Sequence, residues 1–121
     1  MTVRTGPWHV RLTSAAETDF AQIQRWTADQ FGDAQSEIYS ETVTVTLDSL
    51  REQGTRAIGV KQRDDLGKGV WTLHVAHHGR RGRHFLAFRI EAGSREKNIQ
   101  VLRILHDSMD LKRHLADDDP A

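Results

Sequence analysis

The chain of 121 residues has no cysteine at all. A disulfide framework, a thiolate metal site and a cysteine nucleophile are therefore excluded. It also lacks any apolar run near the roughly 18 residues of a membrane span, and "MTVRTGPWHV" has no apolar core of a signal peptide. A cytoplasmic protein is the expectation. No P-loop, no GxGxxG and no nucleophile elbow is present, so nucleotide binding and serine hydrolysis have no recognisable seat. No repeat, low-complexity tract or interdomain linker interrupts the chain, and no cofactor is implied.

What is present is one domain's worth of apolar residues, 37% of the composition, enough for a single core without staples. The expected domain runs over residues 1–115, with an acidic, disordered tail at 116–121. The formal net charge of zero hides an asymmetry. Residues 1–55 carry 4 Lys/Arg against 8 Asp/Glu, whereas residues 56–113 carry 13 against 6, and Asp117 to Asp119 close the balance. An acidic first half and a basic second half follow.

Periodicity predicts the elements. "WHVRLT" alternates Trp8, Val10 and Leu12 with polar residues, as a half-buried strand does. Ser14 and Glu17 form a capping box, and Ala16, Phe20, Ile23, Thr27 and Phe31 repeat at helical spacing up to Gly32. A first helix over Ala15–Phe31 is expected. Between Asp33 and Gly54, Tyr39, Val43, Leu47 and Leu50 make a second helical stripe. "TVTVTL" inside it prefers a strand locally, but the segment is too long for one. Residues 54–69 read as a loop with a short extended piece at Ile58–Lys61.

Three further strands, "VWTLHVA", "RHFLAFRIEA" and "NIQVLRILH", are joined by short turns, then a short helix closes the chain to Leu115. The predicted class is α+β: an N-terminal strand, then a two-helix hairpin laid on an antiparallel sheet of about four strands.

Strict alternation divides that sheet into two faces. Trp8, Val10, Leu12, Trp71, Leu73, Val75, Leu86, Phe88, Ile90, Leu102 and Ile104 face the helices. The other face then collects Arg11, Phe85, Arg89, Val101, Arg103 and Leu105, a mixture of guanidinium and apolar groups suited to receiving a partner. The turn "HVAHHGRRGRH" holds four of the seven histidines. Its spacing matches no metal motif, so no metal is expected there. It also carries Arg80, Arg81 and Arg83, a basic tip that could meet phosphate or an acidic partner. Acid–base chemistry, if any, would fall to His74, His106 or Glu91 with Arg89 and Arg103 as cations, a set too weak to assign a catalytic site.

"VRLTSAAETDFAQIQRWTADQFG" with "VLRILHDSMDLKRHL" resembles the ParE branch of the RelE/ParE superfamily of type II toxin–antitoxin toxins. The resemblance implies a cytoplasmic bacterial toxin, neutralised by a ParD-like DNA-binding antitoxin whose C-terminal segment wraps it in a hetero-oligomer. It also implies DNA gyrase as the target and a non-enzymatic mode of action. "LGKGVWTLHV" resembles the mRNA-cleaving HigB branch, so a ribosome-dependent endoribonuclease is the alternative. A degenerate, non-toxic partner-binding module is a third.

Overall fold

The structure, a computed structural model, describes residues 7–77, 79–91 and 97–108. Strand β1 spans Trp8–Leu12, helix α1 Ser14–Phe31 and helix α2 Asp33–Gln53. A 3₁₀ turn at Gly54–Arg56 leads to β2 (Lys61–Gln62), β3 (Trp71–His74), β4 (His84–Ile90) and β5 (Lys97–His106). The two helices pack as a hairpin on one face of a five-stranded sheet ordered β1-β5-β4-β3-β2.

The α+β class holds, with two differences from the sequence expectation. The sheet has five strands, because Lys61–Gln62 in the expected loop pairs with Trp71–Thr72. It is also mixed: β2 to β5 are antiparallel neighbours, but β1 runs parallel to β5, from Trp8 opposite Lys97 to Leu12 opposite Val101. A parallel pair needs a long crossover, and here the helical hairpin and three strands supply it. The expected C-terminal helix and the tail at 116–121 lie outside the described residues.

Local chemistry accounts for the helices. Gly32 ends α1 at φ 94°, a conformation open to glycine, and α2 begins at once. In the β-branched stretch of α2, Thr42, Thr44 and Thr46 hydroxyls donate to the carbonyls four residues back, at 3.2, 2.9 and 2.9 Å. That bonding lets Thr42 and Thr46 be buried beside Val43, Leu47 and Leu50. The cap of α1 is Thr13 rather than Ser14. Its Oγ1 accepts from the Ala16 N–H at 3.1 Å and donates to the Leu102 carbonyl at 2.8 Å, so a tertiary bond places the cap one residue earlier.

The main core lies between α2 and the sheet, where Val43, Leu47 and Leu50 meet Leu73, Val75, Leu86, Phe88, Ile99, Val101 and Ile104. Here the predicted faces need correcting. β5 opposes Arg103 to Ala87 and Val101 to Phe88, which leaves Leu102 as an extra residue. This bulge turns Val101 toward the helices, not away from them. Leu102 goes the other way and packs with Leu66, Val70, Ala87 and Leu105 in a second, smaller cluster. The loop at 63–70 thus covers part of the face that alternation left open. Phe85 and Leu105, expected at a docking surface, are 8% and 1% exposed.

Trp8 fixes the hairpin's far end. Its indole lies against Gly54, and the Lys97 ammonium stands 5.6 Å from the ring centre. A Cβ at Gly54 would sit 2.2 Å from the indole, and φ there is +56°. Gly54→Ala is expected to destabilise the fold by about 2–3 kcal/mol in urea unfolding and to shift Trp8 fluorescence. An unchanged midpoint would refute this packing.

Candidate binding cleft

β1 stops opposite Val101, but β5 continues to His106. Beyond that point the N-terminal part of α1 takes over the missing strand's hydrogen bonds. The Thr13 N–H donates to the Val101 carbonyl at 3.0 Å, and its hydroxyl serves Leu102. Asp19 then accepts from the Ile104 N–H at 2.9 Å. The same carboxylate binds Arg103 in two-pronged fashion, Nε at 2.6 Å and a terminal nitrogen at 2.9 Å. The pair is largely withdrawn from water, with side chains 10% and 18% exposed. The hydrogen bonds that Arg103 donates to Asp19 hold its guanidinium above its ordinary pKa.

Between α1 and this end of β5 opens a cleft of about 480 Å³. Gln22, Ile23 and Trp26 form its helical wall, and His84, Ile104 and His106 its sheet side. Trp26 is 57% exposed and stacks edge-on against Phe31, ring centres 5.8 Å apart.

At the cleft's inner end the rings of His84 and His106 stand 5.1 Å apart and nearly perpendicular, at 87°. Tyr39 on α2 hydrogen-bonds His84. The Tyr39 oxygen accepts from the Arg83 N–H at 3.1 Å, so its own proton goes to His84 Nδ1 at 2.7 Å. Burial, with His106 next to it, pushes the His84 pKa down to about 4. Burial likewise raises Tyr39.

Next to this pair, His74 Nδ1 accepts from the Ala76 N–H at 2.9 Å, so its Nε2–H donates to Asp107 at 3.1 Å. Arg83 Nε reaches the same carboxylate at 3.1 Å. The His74 bond, then Arg83, holds Asp107 below the usual carboxylate range. His106 Nδ1 accepts from the Ser108 N–H at 3.1 Å.

The residues singled out from sequence do not form one patch. Arg11 pairs with Glu91, Arg89 donates to the Lys68 carbonyl at 3.2 Å, and Arg103 is held by Asp19. Arg80 bonds Glu41 and Thr42 across to α2 at 3.1 and 3.2 Å, while Arg81 stays exposed. Only His74, Arg83 and His106 gather, around Asp107. Sequence reasoning passed over Asp19, Trp26 and His84. Asp19 did carry a signal, since it falls three residues after Ala16 and four before Ile23, on the apolar stripe. Among the described residues, no group of three or more His, Asp or Glu is placed to hold a metal ion, and no helix is long and apolar enough to cross a membrane.

Together these features define a class: a two-helix hairpin on a mixed five-stranded sheet, with a cleft where the first strand stops short. Residues 10–111 match the family described as the ParE toxin of type II toxin–antitoxin system, parDE, and the chain belongs to that family. The solved structure of the "Chromosomal ParDE TA system from P. aeruginosa" has a similar fold, with a TM-score of 0.66 over 84% of this chain and 98% of that one at 20% identity. No curated protein matches the chain.

The burial of His84 has a pH signature. An unfolded His84 takes up its proton near pH 6.5, whereas the folded one holds it off until about pH 4. The stability it contributes is therefore full above pH 6.5 and is lost as pH falls toward 4. His84→Gln should show a shallower fall of the thermal midpoint across that window than the wild type. Identical slopes would show that another group carries the effect.

Proposed function

We propose that this toxin acts by binding DNA gyrase and blocking replication without cutting a substrate itself. A co-expressed, DNA-binding antitoxin holds it inactive in a cytoplasmic hetero-oligomer. Residues 1–115 act as one domain, with 116–121 as a tail. Family membership supports the toxin; the state of Arg103 supports the non-enzymatic mode. Phosphodiester cleavage needs a base, an acid and a cation to meet the phosphorane charge. Arg103 is the guanidinium in the cleft, and Asp19 already neutralises it through both prongs. Arg89 is bonded to the 63–70 loop on a different part of the sheet, and Arg83 bonds Asp107.

One observation favours the endoribonuclease reading: His84 and His106 share the cleft as a close imidazole pair. Two assays decide between the readings. Added to purified gyrase, the chain should inhibit supercoiling and leave cleaved DNA, while transcripts in ribosome-bound translation mixtures stay intact. Unaffected supercoiling with cut transcripts would refute the gyrase reading and establish the second.

A further inference from the structure

The turn that ends β5 places a hydroxyl on an imidazole. Ser108 Oγ lies 2.7 Å from His106 Nδ1, and the Ser108 N–H donates to the same nitrogen at 3.1 Å. A nitrogen that accepts from a backbone N–H carries no proton, so the hydroxyl is the donor in the shorter bond. A serine whose proton already points at a neutral imidazole is the pairing that nucleophilic attack requires. Ser108 is exposed, and both residues line the cleft with Ile23 and Trp26. The surroundings favour transfer of the proton. Asp107 Oδ1 stands 3.8 Å from His106 Nδ1, close enough to stabilise the imidazolium that forms, although it also serves His74 and Arg83. Burial keeps His84, the neighbouring ring, uncharged, so no second imidazolium opposes it.

We propose that Ser108 is a covalent acylation site: with His106 as the base, its hydroxyl takes an apolar acyl group from an activated ester or thioester, and the acyl chain lies in the cleft against Ile23 and Trp26. Ser108 Oγ forms a bond to the acyl carbon, and the bond from that carbon to the leaving oxygen or sulfur breaks. The hydroxyl proton passes through His106 Nδ1 to the leaving group. This site goes beyond the gyrase reading and stands or falls independently of it.

The class of donor follows from the walls. Ile23 and Trp26 are apolar, and Asp19 and Arg103 balance each other. A hydrocarbon chain fits that space. A phosphoryl group would instead bring charge that Arg103, held by Asp19 through both prongs, is poorly placed to meet. The same commitment limits the reaction, because the oxyanion of the tetrahedral intermediate also needs a donor. One slow transfer per chain, leaving a stable serine ester, is therefore expected rather than turnover. A chain seated there would cover part of Trp26, 57% exposed in the unmodified protein, so acylation would alter the cleft's binding surface.

Two activated esters, p-nitrophenyl butyrate and p-nitrophenyl acetate, test this on the full chain. With the butyrate, the wild type should release a burst of nitrophenolate equimolar with the chain, and peptide mass mapping should find the butyryl group on Ser108. Ser108→Ala should lose the burst, and His106→Gln should slow labelling of Ser108 roughly 100-fold. The butyrate should label about tenfold faster than the acetate, for two more buried methylenes, and Trp26→Ala should erase that preference. No label at Ser108, or a label spread over lysines, would overturn the site. Equal labelling rates in wild type and His106→Gln would overturn the base. Equal rates with the two esters would overturn the cleft as the seat of the acyl chain.

Discussion

A strand that outruns its neighbour needs something to satisfy its backbone, and here a single carboxylate supplies it. Asp19 sits on α1, so the bond from the Ile104 N–H joins the helical layer to the sheet at the point where β1 gives out. The same carboxylate takes both prongs of Arg103. Removing it would leave a mostly buried guanidinium and an unpaired amide together, the combination that costs most in a partly dry site. Thr13 makes the equivalent bonds two and three residues earlier on β5, as cap and as ladder partner. α1 is therefore held along β5 by side chains that imitate a strand.

The cleft is a consequence of that arrangement. Asp19 answers the Ile104 N–H, and α1 then continues, carrying Trp26 and Phe31 out into solvent. The chemistry of the cleft is set in the same stroke. Because Arg103 is occupied, the site has a neutral floor, and burial keeps His84 in its uncharged form. A neutral, partly apolar groove is poorly suited to stabilising a pentavalent phosphate.

How much of this the sequence revealed depends on how local each cause is. Both helices were legible, because their apolar stripes and Gly32 are local signals, and length overrode the β-branched "TVTVTL". The antiparallel β3–β4–β5 meander was legible from its short turns. The bulge was not. "VLRIL" is apolar on both registers around Arg103, so skipping Leu102 leaves the alternation intact on paper while sending Val101 to the opposite face. The parallel pairing of β1 was likewise invisible, since strand direction is fixed by where the hairpin returns the chain. The family resemblance agreed with the fold read from periodicity, but no stretch of sequence pointed to the cleft except Asp19, a carboxylate out of place on an apolar stripe.

The central claim is that an α1 carboxylate replaces a missing strand, and amide exchange in the free protein tests it most directly. Ile104 has no strand on its outer side, yet its N–H should exchange as slowly as that of Leu105, which is paired with Phe85. Asp19→Ala should release Ile104 selectively, leaving Leu105 slow. If Ile104 in the wild-type chain exchanges far faster than Leu105, the carboxylate does not close the ladder and the account of the cleft is wrong.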